Sequence, residues 1–342
     1  PTNMVGIAGG LEHSLALRAD GTVWAWGKNS YGQLGNGSNV SIPVPVQVSS
    51  LSGVVSIAGG GGHHSLAVTN DGTLWAWGMN NHGQLGNGTT VSSNVPVQVT
   101  TLTDVVAVAQ EWTNSIALKG DGTVWAWGYN AGGQLGTGDH VSSSVPVQVP
   151  GLSGITAIAG EGDHTIALRN DGTVWAWGSN TYGQLGNGTT NGSLVAVQVG
   201  QLSDVVAIAA GQYFSMAQKA DGSLWAWGQN AQGQLGNGSF ANSSVPVEVT
   251  SFCELNTGVG EASRANSIIA LPNPTSGVVH ITAVAAGAKS VVVRDALGQV
   301  VVKNSFSGNT AEVDLSTQPD GMYVITVGVS GTMTSHRVIK ER

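Results

Sequence analysis

Three histidines, five aspartates, one cysteine and a scatter of aromatic residues are the groups in this chain that could do chemistry, and most recur at a fixed interval. His13, His64 and His164 each precede a Ser/Thr-Leu/Ile-Ala stretch, while Asn114 and Phe214 hold the equivalent places. A ring of metal ligands would not accept phenylalanine, so these histidines are expected to make structural hydrogen bonds rather than hold zinc. Asp20, Asp71, Asp121, Asp171 and Asp221 each stand before glycine, where aspartate serves turn geometry. Glycoside hydrolysis needs two carboxylates in unlike surroundings across a cleft, and a repeated turn residue supplies no such pair. The G-Q-L-G-N-G loops, as in 83–88, lack the lysine and helix start of a phosphate-binding loop and are expected to be turns. Cys253 is the single cysteine, which excludes an intrachain disulfide and a cysteine-based metal site, and no histidine is placed to activate it. Neither G-x-S-x-G nor H-E-x-x-H occurs, and no cofactor or catalytic residue is expected.

Residues that differ between copies are the informative ones, because positions held constant within one chain maintain the shared fold. Variation concentrates in two loops, one before H-S-L-A-L and one after W-A-W-G. The candidate partner-binding residues there are Glu12, Tyr31, His63, His82, Glu111, Trp112, Tyr129, Glu161, Asp163, Tyr182, Tyr213 and Phe214. Four of the five tyrosines fall in this set, with the one tryptophan outside the W-A-W pairs. Aromatic rings among acids resemble a paratope, since they give large contact area at little rotamer cost. The competing explanation is drift on a solvated loop surface. His63 and His82, as variable-loop residues, have no better claim to a metal than the repeated histidines.

The elements that position these loops follow from the repeat. Trp-Ala-Trp-Gly begins at Trp24, Trp75, Trp125, Trp175 and Trp225, at spacings of 51, 50, 50 and 50. Within each copy the apolar period is two, which predicts four short strands, at 54–58, 65–68, 73–77 and 95–99 in the second copy. Asp71-Gly72 between the second and third is a hairpin signal. Four strands in a repeated unit of this length predict a propeller blade. Both faces of the W-A-W strands are apolar, so neighbouring blades must cover them. Burying ~200 Å² per tryptophan at ~25 cal/mol/Å² contributes roughly 5 kcal/mol gross each, an upper bound before ordering entropy. The first strand runs up to one variable loop and the third runs up to the other, so both are expected on one rim.

Charge narrows the partners. The net charge is −8, and residues 1–250 carry all of it, with 13 acidic against 5 basic residues. An acidic surface without a Lys/Arg stripe argues against nucleic acid and against anionic membrane. No apolar run reaches the ~18–20 residues that span a bilayer, so no membrane insertion is expected. The chain opens at Pro1 without a signal-peptide pattern, which fits either a removed signal or a fragment.

At H-S-L-A-L, D-G-T-V-W-A-W-G-x-N and G-Q-L-G-N-G, residues 4–250 resemble the regulator-of-chromosome-condensation repeat family. The resemblance implies an all-β propeller of five visible four-stranded blades (residues 1–250), either a closed ring or an open arc of a larger propeller. Met4–Gly10 aligns with Val54–Gly60, so the chain starts within an inter-blade connector, which favours the arc. Functions in the family include nucleotide exchange on a small GTPase and inhibition of β-lactamases. The wedge of the exchange factor has no counterpart here.

Composition shifts across 251–266, a predicted linker, and the tryptophan repeat stops. Residues 267–342 predict six strands of a small C-terminal antiparallel β-sandwich. Pro272-Asn273-Pro274-Thr275-Ser276-Gly277, the V-R-D-A-L-G-Q-V-V run at 293–301, D-G-M-Y-V at 320–324 and a basic end at Lys340 are similar to the type IX secretion C-terminal sorting domain. That resemblance implies export across the outer membrane of a Gram-negative, Bacteroidota-like bacterium, engagement of the secretion machinery through 267–342, and release or surface anchoring. The expected function is non-catalytic recognition of an extracellular protein or glycan. A secreted hydrolase on a propeller scaffold and a proteinaceous enzyme inhibitor are the alternatives.

Overall fold

The computed structural model describes residues 2–249 and, within 268–340, all but 272–277, 284–288, 296–297, 308–309 and 330–331. The predicted linker, Cys253, the motif at 272–277 and the centre of the 295–298 turn lie outside the described residues. The chain divides into two compact units at residue 253.

The first unit is five four-stranded antiparallel sheets, each joined in chain order as a meander. Blade one is Met4–Gly9, His13–Arg18, Val23–Gly27 and Ile42–Gln47; blade two is Val54–Ala58, His64–Thr69, Leu74–Gly78 and Ser93–Gln98. Blades three, four and five follow in 105–148, 155–198 and 205–248. All four strands expected in the second copy are therefore present. Each Asp-Gly turn works as its residues require: Asp121 Oδ1 accepts from the Thr123 amide at 2.9 Å and hydroxyl at 2.6 Å, and Gly122 takes φ +78°.

Blades join through a repeated socket. The G-Q-L-G-N-G loop is folded around a buried asparagine: Asn80 Oδ1 accepts from Leu85 N at 2.9 Å, and its Nδ2 donates to the carbonyls of Thr89 and Val91 at 3.0 Å. This leaves the Gln84 carbonyl facing blade three, where it accepts from Trp127 Nε1 at 2.8 Å and Ser115 Oγ at 2.7 Å. The second tryptophan of each later pair (Trp77, Trp127, Trp177, Trp227) is fully buried in this way. The loops predicted only as turns are thus also the seats of the next blade's indole. Each of four apolar clusters takes most of its residues from one blade and a tryptophan from the next.

Among the described residues five blades share four such interfaces, so the unit is an open arc. The cognates of Ile7 pack inside interfaces, whereas Ile7 is 85% exposed on the free face of blade one, beside a half-buried Trp26. On the far face of blade five, Gln218 takes the place held by Leu17, Val68, Leu118 and Leu168, and it is exposed where they are buried. Polar substitution on an unjoined face suits a terminal repeat.

The second unit pairs two sheets, as the sandwich expectation requires. One orders Ile268–Leu271, Val278–Ala283 and Thr310–Asp314; the other orders Val300–Phe306, Lys289–Arg294, Gly321–Val329 and Thr332–Lys340. The first strand, Ile268–Leu271, was not among the six expected. The second unit has its own core, including Val279, Val291, Tyr323 and Val338. Tyr323 donates to the Pro319 carbonyl at 2.7 Å and Lys340 Nζ reaches Asp320 at 2.9 Å, so the D-G-M-Y-V motif and the basic end hold each other.

Candidate functional site

The loops between first and second strands, one per blade, converge on a cavity of about 620 Å³. Leu11 comes from blade one, Gly61 to His63 from blade two, Trp112 from blade three, Glu161 from blade four and Gln212 from blade five. Backbone bonds tie the loops together: Leu11 N donates to Gly62 O at 3.2 Å and Trp112 N to Gly162 O at 3.3 Å. A long-reach contact closes the wall, because the Glu161 carboxylate lies against Gly61, two blades away, with Oε1 only 2.2 Å from where a Cβ on Gly61 would stand. Glu161 is half-buried, and that burial raises its pKa above the usual carboxylate range.

Both variable loops lie on one face, because their rings touch across blades. Tyr31 stacks on His63 with centroids 5.3 Å apart, and Tyr182 tilts against Tyr213 at 5.2 Å. His82 meets Tyr129 edge-on at 4.8 Å, and Trp112 meets Tyr213 at 6.5 Å. Each pair joins two different blades, so the aromatic positions reinforce the arc's mouth as well as decorate it. Glu12 is ion-paired with Lys28 and lies 3.9 Å from His63 Nε2. Asp163 accepts from Gln134 Nε2 at 3.2 Å.

Two residues of the expected set are elsewhere. Glu111 is fully buried, not displayed: it turns inward between blades three and four, where Oε1 accepts from Thr165 Oγ1 at 2.6 Å and Oε2 finds no protein donor. Burial drives its pKa well above the usual range, with the charges of Asp163 and Glu161 adding to the effect. Phe214 stands in the histidine position of blade five, over Gly211. In blades one, two and four that position faces the next blade, so Phe214 extends from the cavity's edge at Gly211 onto the unjoined face.

Sequence reasoning placed Leu11, Met79, Thr113 and Gln212 in the variable loops but outside the binding set, and missed Gly61, Ala210 and Gly211 as lining residues. One signal was available. The 51-residue spacing between the first two tryptophan pairs is an added glycine in the second blade's loop, at Gly61 or Gly62. A Cβ on Gly61 would lie 2.2 Å from Glu161 Oε1 and 2.7 Å from Trp112 Cδ1, so only glycine lets both groups approach.

Comparison with known proteins agrees with the geometry. The regulator of chromosome condensation (RCC1) repeat matches residues 20–68, 71–118, 121–168, 171–218 and 221–256. The secretion system C-terminal sorting domain matches 270–341. Human E3 ubiquitin-protein ligase HERC2 is 48% identical over 92 residues, 26% of this chain and 2% of that one. The mitochondrial RCC1 domain-containing protein RUG3 of Arabidopsis thaliana is 38% identical over 105 residues, 30% of this chain and 24% of that one. The chain therefore spans a quarter or less of these relatives' length. Among solved structures, human WBSCR16 superposes with a TM-score of 0.64 at 24% identity, covering 82% of this chain and 73% of that one. Prp20p from Saccharomyces cerevisiae superposes at 0.59 and 20% identity, covering 78% and 79%. Five in-register repeats, their shared socket and these matches lead to one assignment: the chain belongs to the RCC1 repeat family and carries a secretion system C-terminal sorting domain.

Proposed function

We propose that this exported propeller is a non-catalytic recognition protein that captures an extracellular protein through the mouth of its arc. The observation that carries the reading is convergence: all five first loops line one cavity, with Trp112 in its wall and Tyr213 packed against Trp112. Sidedness supports it too, since both variable loops meet on that face. The sorting domain supplies the route out of the cell through the type IX machinery.

A hydrolase reading is favoured by one feature, the two carboxylates Glu111 and Glu161 with raised pKa. Acid and base must both touch the scissile bond, and Glu111 is sealed behind the wall of the mouth. The geometry therefore favours recognition over catalysis.

Immobilised protein incubated with proteins secreted by the same cells is expected to retain a partner. Trp112→Ala and Tyr213→Ala should each abolish retention while leaving the melting temperature within about 2–4 °C, the shift of a loss near 1 kcal/mol in a domain of this size. Unchanged retention by both variants would remove the mouth from consideration.

A further inference from the structure

The cavity has a chemical bias that specifies what enters it. Among its lining residues Glu161 is the one carboxylate, and neither lysine nor arginine lines the space. His63, also in the wall, is held neutral at physiological pH because burial lowers its pKa. Lys28, whose charge acts on His63 in the wall, is already committed to Glu12. The remaining wall is Leu11, Met79, Ala210, the Trp112 indole, the uncharged Thr113 and Gln212, and backbone of the glycine loops. A half-buried carboxylate packed at Gly61 beside the Trp112 indole, in a largely apolar space, lacks only a cation.

Resting on the recognition reading above, we infer that the cavity receives an arginine side chain of the protein partner, its guanidinium paired with Glu161 and lying along Trp112. Arginine suits the site better than lysine on three counts. Its planar fork can meet a carboxylate with two parallel bonds, its delocalised charge is shed from water more cheaply than an ammonium, and it stacks on aromatic faces. The mouth loops carry Glu12, Glu161 and Asp163 against Lys28, a balance that steers a basic partner toward this side. The seat is built by Gly61, whose missing side chain is what allows Glu161 and Trp112 to stand together.

The full chain should be titrated with N-acetyl-arginine amide and with N-acetyl-citrulline amide, which has nearly the same shape and no charge, followed by saturation-transfer NMR. Arginine amide is expected to bind at least roughly tenfold more tightly than citrulline amide and than N-acetyl-lysine amide. Glu161→Gln, which keeps the side chain's size, should erase the arginine preference, and Gly61→Ala, which crowds carboxylate and indole but keeps the charge, should weaken it. Equal binding of arginine and citrulline amides, or a preference that survives Glu161→Gln, overturns the inference. If that happens while Trp112→Ala still abolishes partner retention, the mouth keeps its recognition role and only the arginine assignment falls.

Discussion

His13, His64 and His164 each reach across an interface to a serine of the next blade, at 2.9, 2.8 and 2.9 Å. The serine in turn donates to a glutamine carbonyl of the histidine's own blade. That relay fixes the tautomer: the serine proton is used, so the histidine donates from Nε2, and Nδ1 has no protein partner. Burial lowers the three pKa values to about 4, 3 and 4. Their contribution to stability is complete above the ordinary imidazole value near 6.5 and declines as pH falls toward those values, because only the unfolded chain takes up the protons. Glu111 has the opposite sign. Its raised pKa means stability is greatest below its ordinary value of 4.5 and is lost as pH rises, when the unfolded chain ionises first. Glu111→Gln, which keeps the bond from Thr165, is therefore expected to raise the melting temperature by roughly 2–4 °C at pH 7 and to change it little at pH 4. An equal effect at both pH values would contradict a buried carboxyl. The structural role of the histidines was legible from phenylalanine at an equivalent position. The burial of Glu111 was not, because a glutamate in a variable loop reads as solvated. The clue lay in two changes, Asn114 for histidine and Thr165 for serine: Asn114 bonds the Tyr129 carbonyl of its own blade, and Glu111 meets Thr165 instead.

At the scale of the element, strands and their order were legible because the apolar period and the Asp-Gly turns are local. The socket was not, since G-Q-L-G-N-G looks like a turn until the indole it receives from the next copy is seen. Gly86 and Gly236 separate the two roles. Both have positive φ, +69° and +60°, so alanine strains the backbone at either. At Gly86 the added Cβ would also lie 2.7 Å from Trp127 Nε1, whereas at Gly236 the nearest atom is a valine methyl of its own blade at 2.9 Å. Gly86→Ala is expected to lower the melting temperature several degrees more than Gly236→Ala, the excess being the overpacking cost of about 1–3 kcal/mol. Matching losses would mean the indole adapts and the socket adds little. The extra sandwich strand, Ile268–Leu271, escaped sequence reading for a related reason: four apolar residues have no period of their own, and pairing with Val278–Ala283 is what makes them a strand.

For the whole molecule, the chain forms two compact units with separate cores, and the net negative charge falls in residues 1–250. Closure was not legible in the sequence, because every copy carries the same edges and nothing local says whether the last meets the first. Its absence changes how the array comes apart. A circle cut at one seam is still one connected piece, but a row cut at one seam becomes two, so the weakest joint limits the whole. Outer members lean on one companion and inner members on two, which makes opening a matter of fraying inward. Amide hydrogen exchange should accordingly be slowest in the second strand of blade three and quicken stepwise toward blades one and five. A level profile across all five would show that the row behaves as a circle after all.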